Sequence, residues 1–247
     1  MSCLQILRPW AFVPFLIILI NCVKAEPIYH EKYYPNGKGP FPAVIAPHSS
    51  GGINTNKHLI HRYVDDGFAV YLPDFFRRHG LNISLRMHTF NLHLKEIEQD
   101  LSTIVGLMRD DPRVEHKNIF AVGFSNGGFW VCYLAGTSQV NAGVAHYGVW
   151  KANYGKAFRN PYPMKYFSSL GAPALALHGA EDSIQKIRYA EWAWQEITML
   201  GGNLETYVYP NADHAWDRKN SSIYMYIRDV DKNAHKRTIK FFRKHLK

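Results

Sequence analysis

A serine between two glycines is the residue with the clearest chemical potential in this chain. Gly123-Phe124-Ser125-Asn126-Gly127 follows a strand-like run, 119–122, and precedes a helix-like run, 129–134. In such a G-x-S-x-G motif the hydroxyl stands clear of a sheet on a sharp strand-to-helix turn, where larger flanking residues would clash. The pattern therefore predicts Ser125 as a nucleophile. The alternative is a glycine-rich turn without chemistry.

A serine hydroxyl needs a base at neutral pH, and the base needs an acid to orient it. Where this motif is catalytic, the acid and then the histidine follow the serine along the chain. His214 is the predicted base because its loop directly follows the last strand-like run, 204–209. Structural roles are favoured for the other downstream histidines, which fall in strand-like runs or on a final helix: His146, His178, His235 and His245.

Asp182 is the predicted acid, since it lies in the loop after the preceding strand-like run, 173–178. The alternative role for this aspartate is to cap the helix that begins near Ile187. Three other carboxylates compete for the same role: Glu181, Asp213 and Asp217.

Attack on a carbonyl creates an oxyanion, which two backbone N–H groups must stabilise. Asn126, the residue after the candidate nucleophile, is predicted to supply one of them. The other is expected in the loop Pro47-His48-Ser49-Ser50-Gly51-Gly52, where Ser49 is chosen by position alone. The alternative for this loop is a plain glycine-rich turn.

The elements that must position these residues alternate along the chain. Strand-like runs occupy 42–47, 68–72, 118–122, 142–147, 173–178 and 204–209. Helix-like segments occupy 57–66, 92–109, 127–135, 187–200 and a C-terminal stretch. Such alternation predicts an α/β fold, with a mainly parallel sheet covered by helices on both faces. Without an internal linker, residues 26–247 are expected to form one domain with no large cap domain.

The first 25 residues have the pattern of a secretory signal peptide. Arg8 precedes an apolar run over 10–20, and Val23-Lys24-Ala25 places small or β-branched residues at the −3 and −1 positions of a cleavage site before Glu26. The run is shorter than the ~20 apolar residues that span a bilayer, so an uncleaved anchor is the less favoured alternative. The mature chain is therefore expected to be secreted or periplasmic, with Cys132 as its single cysteine.

Composition narrows the classes of protein further. The chain has 247 residues, of which 47% are hydrophobic and 20% charged, which suits one sizeable core and excludes a disordered chain. The formal charge of +9 falls to +7 without Arg8 and Lys24. No nucleic-acid motif accompanies the charge, which is therefore interpreted as surface potential, with no nucleic-acid partner.

These motifs together resemble the dienelactone-hydrolase-like family of the α/β-hydrolases. The likeness is carried by residues 111–114 and 119–128, by the loops at 47–52, 71–75 and 177–182, and by His214-Ala215-Trp216. The resemblance implies an α/β-hydrolase domain without metal or cofactor that hydrolyses an ester or lactone.

Two departures from that family affect the expected substrate. The founding members carry cysteine at the nucleophile position, so Ser125 favours an ordinary ester over a dienelactone. The stretch Arg77-Arg78-His79-Gly80 only loosely follows the family's Arg-Gly element. Arg77 and Arg78 are therefore expected to be surface arginines, with binding of a substrate carboxylate as the alternative.

The expected function is a serine hydrolase that cleaves a small-molecule ester or lactone through Ser125, His214, Asp182 and an acyl-enzyme. A peptidase or amidase of the same fold and a non-catalytic binding protein are the alternatives. The aromatic segment 150–170 is expected to be a connecting loop, or else a partial cover over a pocket. Asn82 and Asn220 lie in Asn-x-Ser sequons that matter only in a eukaryotic secretory pathway.

Overall fold

Seven strands form one sheet in the computed structural model, which describes residues 28–152 and 162–247. The predicted signal peptide, 1–25, and the middle of the aromatic segment, 153–161, lie outside the described residues. The strands are β1 (His30–Tyr33), β2 (Phe41–Ile45), β3 (Ala69–Pro73), β4 (Val114–Phe124), β5 (Gly143–His146), β6 (Ala174–Gly179) and β7 (Leu204–Tyr209).

The order of the strands in space is β1-β3-β2-β4-β5-β6-β7. Strand β1 is antiparallel to β3, and the other neighbouring pairs are parallel, so the predicted mainly parallel sheet is confirmed. The sequence pattern missed β1, whose residues His-Glu-Lys-Tyr contain no apolar run. Its partly exposed position at the edge of the sheet explains this polar composition.

Helices cover both faces of the sheet. The α-helices are α1 (Lys57–Asp65), α2 (Leu94–Asp110), α3 (Asn126–Gly136), α4 (Ile187–Met199) and α5 (Arg228–Lys244). Shorter helical turns lie at Ile53–Thr55, Arg77–His79, Arg86–Phe90 and Pro163–Tyr166. None of the helices in the described part of the chain has both the length and the apolar character needed to cross a membrane.

Alternate side chains of the strands feed two hydrophobic cores. Ala43 and Ile45 of β2 pack with helices α2, α3 and α4 on one face. Val44 between them packs with α1 and α5 on the other face. Helix α3 directly follows Ser125, and all but one of its side chains, that of Tyr133, are buried. The candidate nucleophile is thus held by a strand and a helix at the centre of the fold.

The parallel arrangement brings the predicted site residues together. Ser125 follows β4, Asp182 follows β6 and His214 follows β7, while the glycine-rich loop at 47–52 follows β2. The carboxyl ends of parallel strands share one edge of a sheet, where α/β proteins bind their ligands. All four segments therefore meet at that edge.

Candidate active site

Ser125 sits on a turn that only glycine neighbours allow. Its φ of 54° lies in the left-handed region, which is uncommon for a residue other than glycine. A Cβ on Gly123 would lie 2.1 Å from the carbonyl oxygen of Gly127, and one on Gly127 would lie 2.0 Å from the carbonyl oxygen of Pro47. The backbone segments on either side of the serine are therefore in direct contact, and the hydroxyl is raised above the sheet.

Ser125, His214 and Asp182 form one row of hydrogen bonds. Asp182 Oδ2 lies 2.8 Å from His214 Nδ1, and His214 Nε2 lies 2.9 Å from Ser125 Oγ. A carboxylate can only accept, so Nδ1 carries the proton and Nε2 accepts the hydrogen bond that the serine hydroxyl donates. This arrangement lets the imidazole take the serine proton while the carboxylate stabilises the resulting charge.

The backbone holds the Asp182 carboxylate in place. Its Oδ1 accepts hydrogen bonds from the amides of Ile184 and Gln185, at 2.9 and 2.7 Å. The side chain is 0% exposed, so water does not compete for its oxygens. His178 Nε2 donates to the Gln185 carbonyl at 2.7 Å, and burial lowers the pKa of this imidazole. His178 therefore packs as a neutral group behind the acid.

The three rival carboxylates do not contact the imidazole of His214. Glu181 is exposed on the same loop as Asp182. Asp213 accepts from the amides of Ser183 and His214, at 2.7 and 2.6 Å, and so ties the acid loop to the histidine loop. Asp217 is buried and accepts hydrogen bonds from the Tyr147 hydroxyl on both oxygens, at 2.8 and 2.7 Å.

A close contact between backbones fixes the distance between the acid loop and the histidine loop. A Cβ on Gly179 would lie 2.1 Å from the carbonyl oxygen of Ala212. That same oxygen accepts from the amide of Glu181 at 3.1 Å. The two loops are thus held together by main-chain contact as well as by the hydrogen bonds of Asp213. These contacts fix the distance between Asp182 and His214.

The loop after β2 differs from the expectation at one amide. The N–H of Ser49 donates to Oδ1 of the buried Asn56 at 2.7 Å, so this amide is engaged within the protein. The carbonyl of Ser49 accepts from His48 Nδ1 at 2.7 Å and from the Gly52 amide at 3.0 Å. Ser49 was selected by its position alone. No pattern in the sequence indicates that the side chain of Asn56, seven residues later, binds the Ser49 N–H.

Asn126 begins helix α3, and its side chain stabilises the turn. The carboxamide is buried, accepts from Trp130 Nε1 at 3.1 Å and donates to Thr89 Oγ1 at 3.2 Å. Its Nδ2 also lies 3.4 Å from Ser50 Oγ, in the loop after β2. The backbone N–H of Asn126, at the first residue of a helix, carries the partial positive charge of the helix N-terminus.

Two cavities open beside Ser125, and Ser50 also lines both of them. The first, of about 320 Å³, is named the His214 arm; it is also lined by Arg218, Asn220, Ser222 and Tyr224, among others. The second, of about 480 Å³, is named the Phe90 arm; it is also lined by Arg86, Met87, Val149 and Ile184, among others. A group bound at Ser125 can therefore extend in two directions with different surroundings.

Several residues of these arms were not selected from the sequence. The ring of Tyr147 lies edge-on to that of His214, with centroids 4.9 Å apart, and the ring of Tyr224 lies 5.7 Å away. Tyr147 directly follows β5, so its position at the carboxyl end of a parallel strand was an available signal. Tyr224 lies in a loop and Arg86 begins a short helical turn, and no short-range pattern indicates that these two segments reach the site.

The described ends of the aromatic segment pack into the protein. Trp150 is buried edge-on against Trp194, with ring centroids 5.8 Å apart. Tyr166 donates to Glu98 Oε1 at 2.5 Å and contacts Phe129. These contacts fit the connecting-loop interpretation, whereas the residues around Asn220 to Tyr224 are the ones that flank Ser125.

Arg77 and Arg78 have partners away from Ser125. The guanidinium of Arg78 lies 2.8 Å from Asp100, and that of Arg77 lies over the ring of Tyr29, 4.6 Å from its centroid. Both contacts agree with the expected surface role. In the described part of the chain, no group of three or more His, Cys, Asp or Glu side chains is arranged to hold a metal ion.

The comparisons with known proteins agree with this architecture. Residues 31–246 match the model of the dienelactone hydrolase family. A Synechocystis protein provisionally named carboxymethylenebutenolidase is 24% identical over 195 residues, which are 74% of this chain and 78% of the relative.

Among solved structures, a provisionally named dienelactone hydrolase from Klebsiella pneumoniae matches with a TM-score of 0.73 at 22% identity, covering 86% of this chain and 91% of that one. Butyrate-bound esterase 2 from Thermogutta terrifontis matches with a TM-score of 0.63 at 14% identity, covering 86% and 88%. These structures share the α/β-hydrolase fold. With the family model spanning nearly all of the described residues, the chain belongs to the dienelactone hydrolase family.

Proposed function

We propose that this protein is a carboxylic ester hydrolase in which Ser125, His214 and Asp182 act through an acyl-enzyme. The observation that carries the proposal is the row of two hydrogen bonds, 2.8 and 2.9 Å long, that ends on a hydroxyl facing both cavities. Family membership and the names of similar proteins support an ester or lactone as the substrate.

In the proposed reaction, Ser125 Oγ attacks the carbonyl carbon while His214 Nε2 takes the hydroxyl proton. Collapse of the tetrahedral intermediate breaks the bond to the alcohol oxygen, which receives that proton. Water then attacks the acyl-serine with His214 again acting as the base. Asp182 keeps Nδ1 protonated and stabilises the imidazolium in both halves of the reaction.

Asn126 N–H is the proposed first donor to the oxyanion, and Ser50 N–H is proposed as the second in place of Ser49. In a trans peptide the N–H points opposite to the preceding carbonyl. The carbonyl of Ser49 is held by His48 and Gly52, so the N–H of Ser50 is directed away from these two groups. Ser50 also lines both cavities beside Ser125.

Labelling and hydrolysis with matched serine variants test the proposal. We expect wild-type protein to react with a fluorophosphonate probe and to hydrolyse p-nitrophenyl butyrate. Ser125→Ala should abolish labelling and lower kcat/KM by ~10⁴-fold or more. Ser84→Ala, in an exposed loop, should retain both activities. A folded Ser125→Ala protein that still hydrolyses the ester at the wild-type rate would exclude this mechanism.

We also propose that the protein is exported with removal of residues 1–25. The positive, apolar and small-residue regions of this segment support the proposal. Expression of the full chain in a secreting host should give a mature protein that begins at Glu26, as measured by intact mass. A membrane-bound product that retains Met1 would favour the uncleaved anchor instead.

A further inference from the structure

The two arms that meet at Ser125 differ in their relation to His214. The His214 arm contains the imidazole, whereas the Phe90 arm lies on the side of the serine toward Val149 and Ile184. In the proposed reaction, the proton on His214 Nε2 must pass to the leaving alcohol oxygen. That oxygen therefore has to lie beside the imidazole, and the rest of the alcohol extends into the His214 arm.

The acyl group is then directed into the Phe90 arm. Val149 and Phe90 are buried, and Met87 and Ile184 add further apolar surface, while Arg86, Ser50 and Ser183 supply the polar part of the lining beside Ser125. A cavity of about 480 Å³ with this lining suits an aliphatic acyl chain, since the chain leaves water for an apolar surface. The acyl chain needs no polar group of its own to be held there.

The His214 arm has a different chemical character. Asn220 and Ser222 are exposed at its mouth, and Arg218 is half-buried nearby. Together they offer an amide, a hydroxyl and a guanidinium, which can donate to or accept from hydroxyl groups. The ring of Tyr224, together with Ile223, supplies apolar surface beside these polar groups. Polar edges and apolar faces are the two surfaces that a polyhydroxylated alcohol presents.

We infer that the substrate is an ester of an aliphatic acid with a polyhydroxylated alcohol, a sugar or glycerol, with the alcohol bound in the His214 arm. This inference rests on the proposed function, because the imidazole defines the side of the leaving group. In the transfer step the Ser125 Oγ–acyl bond forms, the acyl–alkoxide bond breaks, and the serine proton leaves on the alcohol through His214.

Three butyrate esters that differ only in the alcohol test the inference on the full protein: methyl 6-O-butyryl-glucoside, 1-monobutyrin and pentyl butyrate. We expect kcat/KM to be about tenfold or more higher for at least one polyol ester than for pentyl butyrate. The order of the first two distinguishes a sugar from glycerol. Equal or faster hydrolysis of pentyl butyrate would overturn the inference.

Matched variants locate the preference in one arm. Asn220→Leu/Ser222→Leu should lower the ratio of kcat/KM for the polyol ester over pentyl butyrate by about tenfold, since these side chains supply hydrogen bonds to the alcohol. Ile184→Asn, in the Phe90 arm, should change the dependence on acyl length among p-nitrophenyl acetate, butyrate and octanoate without changing that ratio. An unchanged ratio in the double variant would overturn the assignment of the arm.

A measurement on wild-type protein tests the same inference without substitutions. The acyl-enzyme formed from p-nitrophenyl butyrate can transfer its acyl group to an added alcohol, which must enter through the leaving-group side. We expect methyl glucoside or glycerol to capture more butyrate than 1-pentanol at equal concentration, as measured by chromatography of the new ester. Preferential capture by pentanol would overturn the inference.

The proposed function and this inference fail in distinguishable ways. If no butyrate ester is hydrolysed and the fluorophosphonate probe does not label Ser125, both are wrong. If labelling and hydrolysis occur but pentyl butyrate is preferred, the hydrolase stands and only the assignment of the alcohol is wrong.

Discussion

Asp182 and Asp213 both contact His214 but hold different parts of it. Asp182 contacts the imidazole Nδ1, whereas Asp213 contacts the backbone amides of His214 and Ser183. An Asn at position 182 has nearly the shape of the aspartate but no longer holds the proton on Nδ1 of His214. Asp182→Asn should therefore lower kcat by ~10⁴-fold with little change in stability.

Asp213→Asn is the matched control, because an amide oxygen can still accept from the two backbone N–H groups. It should retain most of kcat, as measured with p-nitrophenyl butyrate. If the control loses as much activity as Asp182→Asn, the two carboxylates do not have the separate roles that their contacts indicate.

Asp217 is a second buried carboxylate near the site, and its titration should be visible in stability. Burial raises the pKa of this group to about 6, even though the Tyr147 hydroxyl donates to it. Between about pH 4 and 6 the unfolded chain releases this proton while the folded protein keeps it, so the free energy of unfolding falls as the pH rises. The full penalty, about 3 kcal/mol, is present above pH 6 and absent below pH 4.

Comparison with Asp217→Asn isolates this contribution, because an amide does not titrate. The free energy of unfolding of the variant minus that of wild type should increase by about 3 kcal/mol from pH 4 to pH 7, as measured by urea denaturation. A difference that is the same at both pH values would show that Asp217 has an ordinary pKa in the folded protein.

The sequence predicted the row of Ser125, Asp182 and His214 because each residue is tied to a local pattern, a glycine-flanked turn or the end of a strand. The proposed second donor to the oxyanion has no such signature. Asn56 decides which backbone N–H of the loop after β2 is available to a substrate, because its side chain accepts a hydrogen bond from the N–H of Ser49. Such a choice between neighbouring amides depends on tertiary contacts that position along the chain does not encode.

Among the secondary-structure elements, the turn between β4 and α3 is the least tolerant of added volume. Gly123→Ala would place a Cβ within 2.1 Å of backbone, which cannot move as a flexible side chain can. We expect this variant to fail to fold or to lose ~3 kcal/mol or more of unfolding free energy, as measured by chemical denaturation.

Gly106→Ala in α2 is the control for this substitution. A Cβ there would meet no atom within 4 Å beyond its chain neighbours and the backbone of its own helix, and alanine favours a helix more than glycine does. It should raise the free energy of unfolding by about 1 kcal/mol. A stable Gly123→Ala protein would mean that the turn can relax, and the steric basis for the serine's position would fail.

The observed bounds of the strands and helices agree with the predicted bounds where the element is buried. Strand β7 (Leu204–Tyr209) agrees with the predicted run, and α4 (Ile187–Met199) ends one residue before the predicted end. Strand β4 begins at Val114, four residues before its predicted start, because the polar and partly or fully exposed residues 115–117 separate the buried Val114 from the apolar run. An apolar pattern indicates only the buried part of a strand, so the partly exposed ends of strands are not predicted from it.

Across the whole molecule, positive charge extends to the mouth of the site. The formal charge is +9, and each arm contains one arginine, Arg218 in the His214 arm and Arg86 in the Phe90 arm. Neither arm has an Asp or Glu among its described lining residues. A cationic substrate would therefore meet an arginine and no lining carboxylate in either arm, and the positive potential opposes its approach.

Choline butyrate and 3,3-dimethylbutyl butyrate test this effect, since they have nearly the same shape and differ in charge. At low ionic strength, kcat/KM for the choline ester should be about fivefold lower, as expected for a cation a few ångströms from a partly solvated guanidinium. Added salt should bring the two values together, because it screens exposed charges. Arg218→Gln should reduce the difference at low salt, whereas Arg78→Gln, which removes a charge paired with Asp100 away from the arms, should preserve it. A preference for the choline ester at any salt concentration would show that groups other than these arginines set the potential at Ser125.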